Sequence, residues 1–150
     1  MSKGAIAMIR QATVSDAAAV AALSLRLWPD HTMEEMTAEF AALLASPEAA
    51  VFLAEDGAPM GFAQCQLRHD YVEGASTSPT GYLEGVYVAP SHQRLGIAGK
   101  LLSACEVWAK AHGCTEFASD CEIDNAASLA FHLAKGFTEA SRNIHFIKPL

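Results

Sequence analysis

Residues Leu83 to Leu102 read LEGVYVAPSHQRLGIAGKLL. An apolar strand through Val86, Tyr87 and Val88 stops at Ala89-Pro90. A loop carrying Gln93-Arg94-Leu95-Gly96-Ile97-Ala98-Gly99 follows, and then an amphipathic helix begins. The N–H groups of a first helical turn have no partner inside the helix, and the helix dipole makes that end positive. Gly96, Ala98 and Gly99 carry little or no side chain, so a phosphate can approach the backbone, and Arg94 and Lys100 add positive charge. The stretch is a candidate cradle for a pyrophosphate.

This cradle is not one of the common nucleotide loops. It lacks the Gly-Lys-Ser/Thr ending of a P-loop, which argues against a magnesium-nucleotide site. It also lacks the three glycines of the dinucleotide fingerprint and the acidic residue expected after the next strand. Taken alone, the same residues fit an ordinary helix start rich in small side chains.

The rest of the composition narrows the classes. A chain of 150 residues, 51% of them hydrophobic, forms one globular domain with a sizeable core. That domain is expected over residues 8–150, with residues 1–7 as a tail too short and too weakly apolar for a signal peptide. No apolar run approaches membrane-spanning length. The net charge of −7 argues against nucleic acid, whose phosphates need a basic patch, and favours a cationic partner. Cys65, Cys105, Cys114 and Cys121 show no Cys-x-x-Cys spacing, so free thiols in a reducing cytoplasm are expected, with no metal.

Periodicity and punctuation lay out the remaining elements. Met8 to Ala12 is a strand. Ser15-Asp16 opens a helix running to about Trp28, with Ala19, Val20, Leu23 and Leu27 inward and Pro29 as its stop. Thr32 and Glu35 have the form of a capping box for a second helix to about Ser46, burying Met36, Phe40, Leu43 and Leu44. Ala50 to Glu55 and Gly61 to Arg68 are strands around an Asp56-Gly57 turn. His69 to Thr80 is a loop, and Gly81 to Val88 is a central strand in which Gly85 suggests a bulge or a close backbone approach. A helix from Gly96 to His112, a strand from Thr115 to Ser119, and a helix opened by Asp124-Asn125 and stopped by Gly136 follow. In that last helix Ala126, Leu129, Ala130 and Leu133 face inward. Phe137 and Ile144 to Ile147 complete the series as strands. The order is mixed α/β.

Gln93-Arg94-x-Gly96-x-Ala98 after a Val-x-Pro strand end resembles the acetyl-coenzyme A (acetyl-CoA) site of the GNAT superfamily of N-acetyltransferases. The run from Asn125 through Phe131-His132 to Gly136-Phe137 resembles that superfamily's second landmark, and the element order is the one it uses. The resemblance implies a GNAT fold: a mixed sheet splayed at a bulge in its fourth strand and flanked by helices. It implies acetyl-CoA as co-substrate, with the pantetheine arm on Val86, Tyr87 and Val88 and the pyrophosphate on Gln93 through Gly99. Asn125 matches the position that contacts the arm near the sulfur. The residue at His132 is often a tyrosine in the superfamily, thought to protonate the leaving thiolate. His132 could play that part or be a packed histidine, with Tyr87 and solvent as alternatives.

Acyl transfer from a thioester needs the thioester held, its carbonyl polarised and the attacking amine supplied neutral. Strands that part beyond a bulge leave unpaired backbone groups. The arm's amides can pair with these, and a free N–H can face the oxyanion, an interaction worth roughly 3 kcal/mol. Four further fragments are similar to a branch of aminoglycoside 6′-N-acetyltransferases: LWPDH at Leu27–His31, RHDYVEG at Arg68–Gly74, SPTGYLEGVYV at Ser78–Val88 and CTEFASD at Cys114–Asp120. The resemblance implies acceptor contacts from Trp28, His31, Tyr71, Glu84 and Asp120, residue types suited to a hydroxyl-rich polycation. An acidic pocket attracts such a cation but also raises its amine pKa. Asp120 is therefore expected to take the amine proton and Glu84 to orient the substrate. Read without the resemblance, Glu84 is an exposed strand residue and Asp120 a strand-end cap.

Members of that branch carry a glutamate in the last hairpin where this chain has Ser141, which bears on acceptor range; Glu139 is near. A homodimer is implied by the same resemblance. The reading is direct transfer to an aminoglycoside 6′-amine in a ternary complex, conferring antibiotic resistance. The alternatives are a GNAT enzyme for another small amine or a protein N-terminus, and a binding protein that holds acetyl-CoA or aminoglycoside without reaction.

Overall fold

The computed structural model describes residues 7–150. Five strands, β1 (Met8–Gln11), β2 (Ala49–Asp56), β3 (Ala58–Arg68), β4 (Thr80–Val88) and β5 (Phe117–Ser119), form one sheet in sequence order. The first four pair antiparallel, and β5 joins β4 in parallel. Helices α1 (Ala17–Ser24) and α2 (Met33–Leu44) lie on one face and α3 (Ile97–Ala111) on the other, with α4 (Ala126–Ala134) after β5.

Strand alternation sorts the core into two layers. Val51, Leu53 and Phe62 pack with Val20, Met36 and Phe40 from α1 and α2. Ala50, Ala54, Ala63, Cys65 and Leu83 face α3, where Ile97, Leu101, Cys105 and Trp108 form an apolar stripe. Full burial of side chains such as Phe62, Leu53 and Leu101 contributes about 1.5–3 kcal/mol each. The capping box forms as expected: the Glu35 N–H donates to Thr32 Oγ1 and the Thr32 N–H to Glu35 Oε1.

Three expectations are corrected. The first helix ends at Ser24, not Trp28, because the Leu27 and Trp28 N–H groups both turn onto the Ser24 carbonyl and tighten the chain ahead of Pro29. In α4 the inward face is Ser128, Leu129, Phe131 and His132, each half-buried, while Ala126, Ala130 and Leu133 are exposed. The shift follows from aromatic contacts: His132 and Phe117 both pack on Phe137. The final strands at Phe137 and Ile144–Ile147 do not form; residues 138–150 are exposed and carry no ladder. A strand is stabilised by ladder pairing, and these residues pair with no other segment among the described residues. Of the expected tail, residues 1–6 lie outside the described residues, and Ala7 packs against the core.

Candidate active site

The site begins where β4 loses a neighbour. Gly81, Tyr82 and Leu83 pair with Phe117, Ala118 and Ser119 of β5, and from Glu84 to Val88 β4 runs on without β5. On its other side the register slips: Gln64 faces Gly85 and Cys65 faces Leu83, leaving Glu84 as the extra, bulged residue. The bulge and the parting of β4 from β5 therefore coincide. Gly85 is required there because the Trp28 ring lies on it; a Cβ would stand 2.8 Å from Trp28 Cη2 and 3.3 Å from Leu27 Cδ1. Trp28 is half-buried and meets Phe62 edge-on, so it forms a fixed wall beside the bulge.

One face of the opening carries a bonded set of charges. The Arg68 guanidinium donates to both Glu84 oxygens, at 2.9 and 3.0 Å, and its Cζ lies 3.5 Å from the Tyr82 ring centroid. The Tyr82 hydroxyl donates to Asp120. Burial, with the Asp120 hydrogen bond second, pushes the Tyr82 phenol well above its usual range, so it remains a donor. Burial also raises the Glu84 carboxyl, against the opposing pull of Arg68, and the Asp120 charge adds to the rise. Asp120 is exposed at the end of β5 and open to an incoming ligand. Arg68 and Tyr82 were not singled out from the sequence. Their signal is positional: Tyr82 is two residues before Glu84, hence on its face, and Arg68 ends the neighbouring strand.

The loop beyond β4 is shaped as a cradle. Arg94 and Gly96 both adopt positive φ, 66° and 76°, and Gly96 is the N-cap of α3 with nothing within 4 Å of where a Cβ would be. Arg94 in that conformation is strained by roughly 1–2 kcal/mol. The first helical bond runs from the Lys100 N–H to the Gly96 carbonyl, so the N–H groups of Ile97, Ala98 and Gly99 precede the ladder. Lys135, from the end of α4, crosses over: its Nζ lies 2.8 Å from where a Gly99 Cβ would be. Bare N–H groups, an open Gly96 and cations at Arg94, Lys100 and Lys135 fit a pyrophosphate. The Gln93 side chain is turned back instead, donating to the Val88 carbonyl at 3.0 Å. Leu95 is exposed and Ile97 is buried in the core, so the latter offers only its backbone.

The remaining expected residues are dispersed. Asn125 caps α4, its Oδ1 accepting from the Ser128 N–H at 3.1 Å. His132 reaches β5, with Nε2 2.8 Å from Ser119 Oγ and Nδ1 2.7 Å from the Ser128 carbonyl. Val86 and Tyr87 are half-buried and Val88 is buried; all three pair with β3 and turn their other edge to the opening. His31 is exposed, and Tyr71 is exposed and bonded to Glu73. Neither enters the Arg68–Glu84 and Tyr82–Asp120 set. Glu139 is held by Arg142 at 2.8 Å, and Ser141 is exposed beside them. Among the described residues no group of three or more His, Cys, Asp or Glu side chains stands together as a metal site.

Comparison with known proteins places this geometry. The family model described as "Acetyltransferase (GNAT) family" matches residues 16–137. An aminoglycoside N(6')-acetyltransferase type 1 from Stenotrophomonas maltophilia is 48% identical over 146 residues, covering 95% of this chain and 93% of that protein. The solved structure of aminoglycoside N-acetyltransferase AAC(6')-Iy in complex with CoA superposes with a TM-score of 0.94 at 36% identity, covering 100% of this chain and 99% of that one. The AAC(6')-Iy structure with the bisubstrate analog CoA-S-monomethyl-acetylneamine gives a TM-score of 0.92 at 36% identity, over 97% of this chain and 100% of that one. With the splay, the cradle and similarity along nearly its full length in agreement, this chain belongs to the GNAT acetyltransferase family, in its aminoglycoside N(6')-acetyltransferase branch.

Proposed function

We propose that the chain transfers the acetyl group of acetyl-CoA directly to the 6′-amine of an aminoglycoside, and so confers resistance to it. The observation that carries this reading is the adjacency of the acidic set to the opening between β4 and β5. The cradle at Gly96–Gly99 binds the diphosphate, and the free edge of β4 at Val86–Val88 holds the amide-bearing arm. The Trp28 ring supports the bulge against which an acceptor sugar rests.

Asp120 takes the proton of the amine as it closes on the carbonyl. Tyr82, donating to Asp120, fixes the carboxylate without supplying it a proton. Arg68 neutralises much of Glu84, which moderates the field that would otherwise hold the amine protonated. Glu84 thereby orients a cation while Asp120 acts as base. Asn125, His31 and Tyr71 remain contacts of this reading, with His31 and Tyr71 closing on the acceptor from their exposed loops.

The reading extends to a homodimer in the cytoplasm, where acetyl-CoA is available. No helix among the described residues is long and apolar enough to cross a membrane. Ile144, Phe146 and Ile147 are 80%, 90% and 98% exposed in the segment that lacks a ladder, and a second copy supplies the cover they need. Sedimentation of the wild type as a dimer, with Phe146→Asp shifting it to monomer, checks that part.

The deciding experiment is a thiol-release assay with acetyl-CoA over tobramycin, polyamines and peptides, with mass spectrometry locating the new acetyl group. Release with tobramycin and an acetyl on its 6′-nitrogen is expected. Release only with polyamines or peptides redirects the acceptor, and binding without release supports the non-reacting alternative.

A further inference from the structure

Ser119 is the last β5 residue paired with β4, opposite Leu83, so it stands at the apex where the two strands part. Its Oγ lies 3.3 Å from the Leu83 carbonyl and 2.8 Å from His132 Nε2. On the far side of the ring, Nδ1 is 2.7 Å from the Ser128 carbonyl. A carbonyl only accepts, so Nδ1 carries a proton and Nε2 is the nitrogen free to exchange one. The ring has little freedom to swing toward the opening. Phe137 packs against it at 5.0 Å between centroids and Phe131 at 5.8 Å. The Nε2 side of His132 thus meets Ser119 Oγ, at the last pair before β4 and β5 part.

Resting on the reading above that acetyl-CoA occupies the splay, we propose that Ser119 is the proton relay at its apex, connecting His132 to the departing thiolate. With His132 as imidazolium, Nδ1–H donates to the Ser128 carbonyl, Nε2–H to Ser119 Oγ, and the Ser119 hydroxyl is free to turn from the Leu83 carbonyl to the opening. As the carbon–sulfur bond breaks, its electron pair stays on sulfur. Ser119 gives its hydroxyl proton to that sulfur, and Oγ takes the Nε2 proton. His132 ends as the neutral Nδ1–H tautomer that the Ser128 carbonyl already holds, and solvent restores its second proton. The serine supplies the reach that the wedged imidazole lacks.

Two measurements test the relay. In the chain without ligands, the nitrogen-15 spectrum of labelled histidine is expected to show Nδ1 of His132 protonated, and Ser119→Ala is expected to shift its Nε2 resonance. In steady-state kinetics, Ser119→Val is expected to lower kcat about 100-fold. The acetyl-CoA Kd is expected to stay within about twofold, and Ser119→Thr, which keeps the hydroxyl, within about threefold of wild-type kcat. Ser119→Ala serves where the larger side chains prevent folding, with thermal unfolding reporting that the fold is intact. A His132 Nε2 resonance indifferent to loss of the hydroxyl overturns the relay, as does a folded Ser119→Ala or Ser119→Val chain with wild-type kcat. Failure of the wild type to release thiol with any amine overturns the acetyl-transfer reading instead, and the histidine spectrum still reports on the hydrogen-bonded chain.

Discussion

The two sides of the β4–β5 opening are built from different materials. On the cradle side the groups offered are backbone N–H donors, with Gly96 open around its Cβ position and long cations at the rim. On the acceptor side the groups are side chains that already hold one another: Arg68 on Glu84, Tyr82 on Asp120, Trp28 on Gly85. A diphosphate has one shape, and backbone geometry matches it without side-chain ordering. A polycationic sugar requires charges whose strength is moderated, because an unpaired acidic wall would bind the amine and keep it protonated. In the proposed reading, the Arg68–Glu84 and Tyr82–Asp120 pairs supply that moderation and fix the carboxylates before the ligand arrives.

Substitutions on the two sides therefore fail in different parameters. Asp120→Asn is expected to have the largest effect, lowering kcat by about 10²–10³-fold while leaving the acetyl-CoA Kd within about twofold; isothermal titration beside a rate assay measures both. Unchanged turnover would remove Asp120 as the base and dissolve the distinction. Gly96→Asp is expected to weaken acetyl-CoA binding by about 10–100-fold at low salt, less at high salt, because a carboxylate replaces open space at a helix N-terminus. Its fold should persist, since aspartate tolerates positive φ better than most residues. Gly85→Ala is expected to cost about 1–3 kcal/mol in thermal unfolding by displacing the Trp28 ring, and to raise the acceptor KM without changing acetyl-CoA affinity.

The smallest effect is a slope. Burial raises the Glu84 carboxyl above its ordinary value, so the folded chain holds that proton more tightly than the unfolded one. Stability from this group is present below the ordinary glutamate pKa of about 4.3 and is lost as pH rises through the raised folded value. Glu84→Gln is expected to flatten that part of the stability curve, read as melting temperature against pH. A slope unaffected by the substitution would show that Arg68 offsets burial at the bulge in full, and a slope of opposite sign that it outweighs it.

Most of the frame was legible in the residues. The Thr32–Glu35 box, the Asp56-Gly57 turn, the apolar stripe of α3 and the Gly96 start of that helix all rest on local chemistry, and the structure reproduces them. Asp120 and Glu84 were candidates through the resemblance of their surrounding fragments, and the structure brings them to one bonded set; the small residues at Gly96–Gly99 do open α3. Tyr82 and Arg68 were not candidates, because their roles depend on which residue faces which across β3 and β4. The exposed residues of α4 and the unpaired final segment were misread for a related reason: apolar spacing marks a face but does not say whether that face finds cover within the chain.

The sequence by itself determined the order of elements, the bulge-prone glycine, the cradle and the acidic composition of the acceptor side, since each follows from interactions among residues close along the chain. Only the tertiary structure decided that Glu84 is the bulged residue, that Arg68 pairs with it, that Tyr82 holds Asp120 and that Ser119 bonds His132. Those are contacts between residues 13 to 38 positions apart. Strand register and helix phase set such contacts, and both are fixed by packing of the whole domain rather than by local preference.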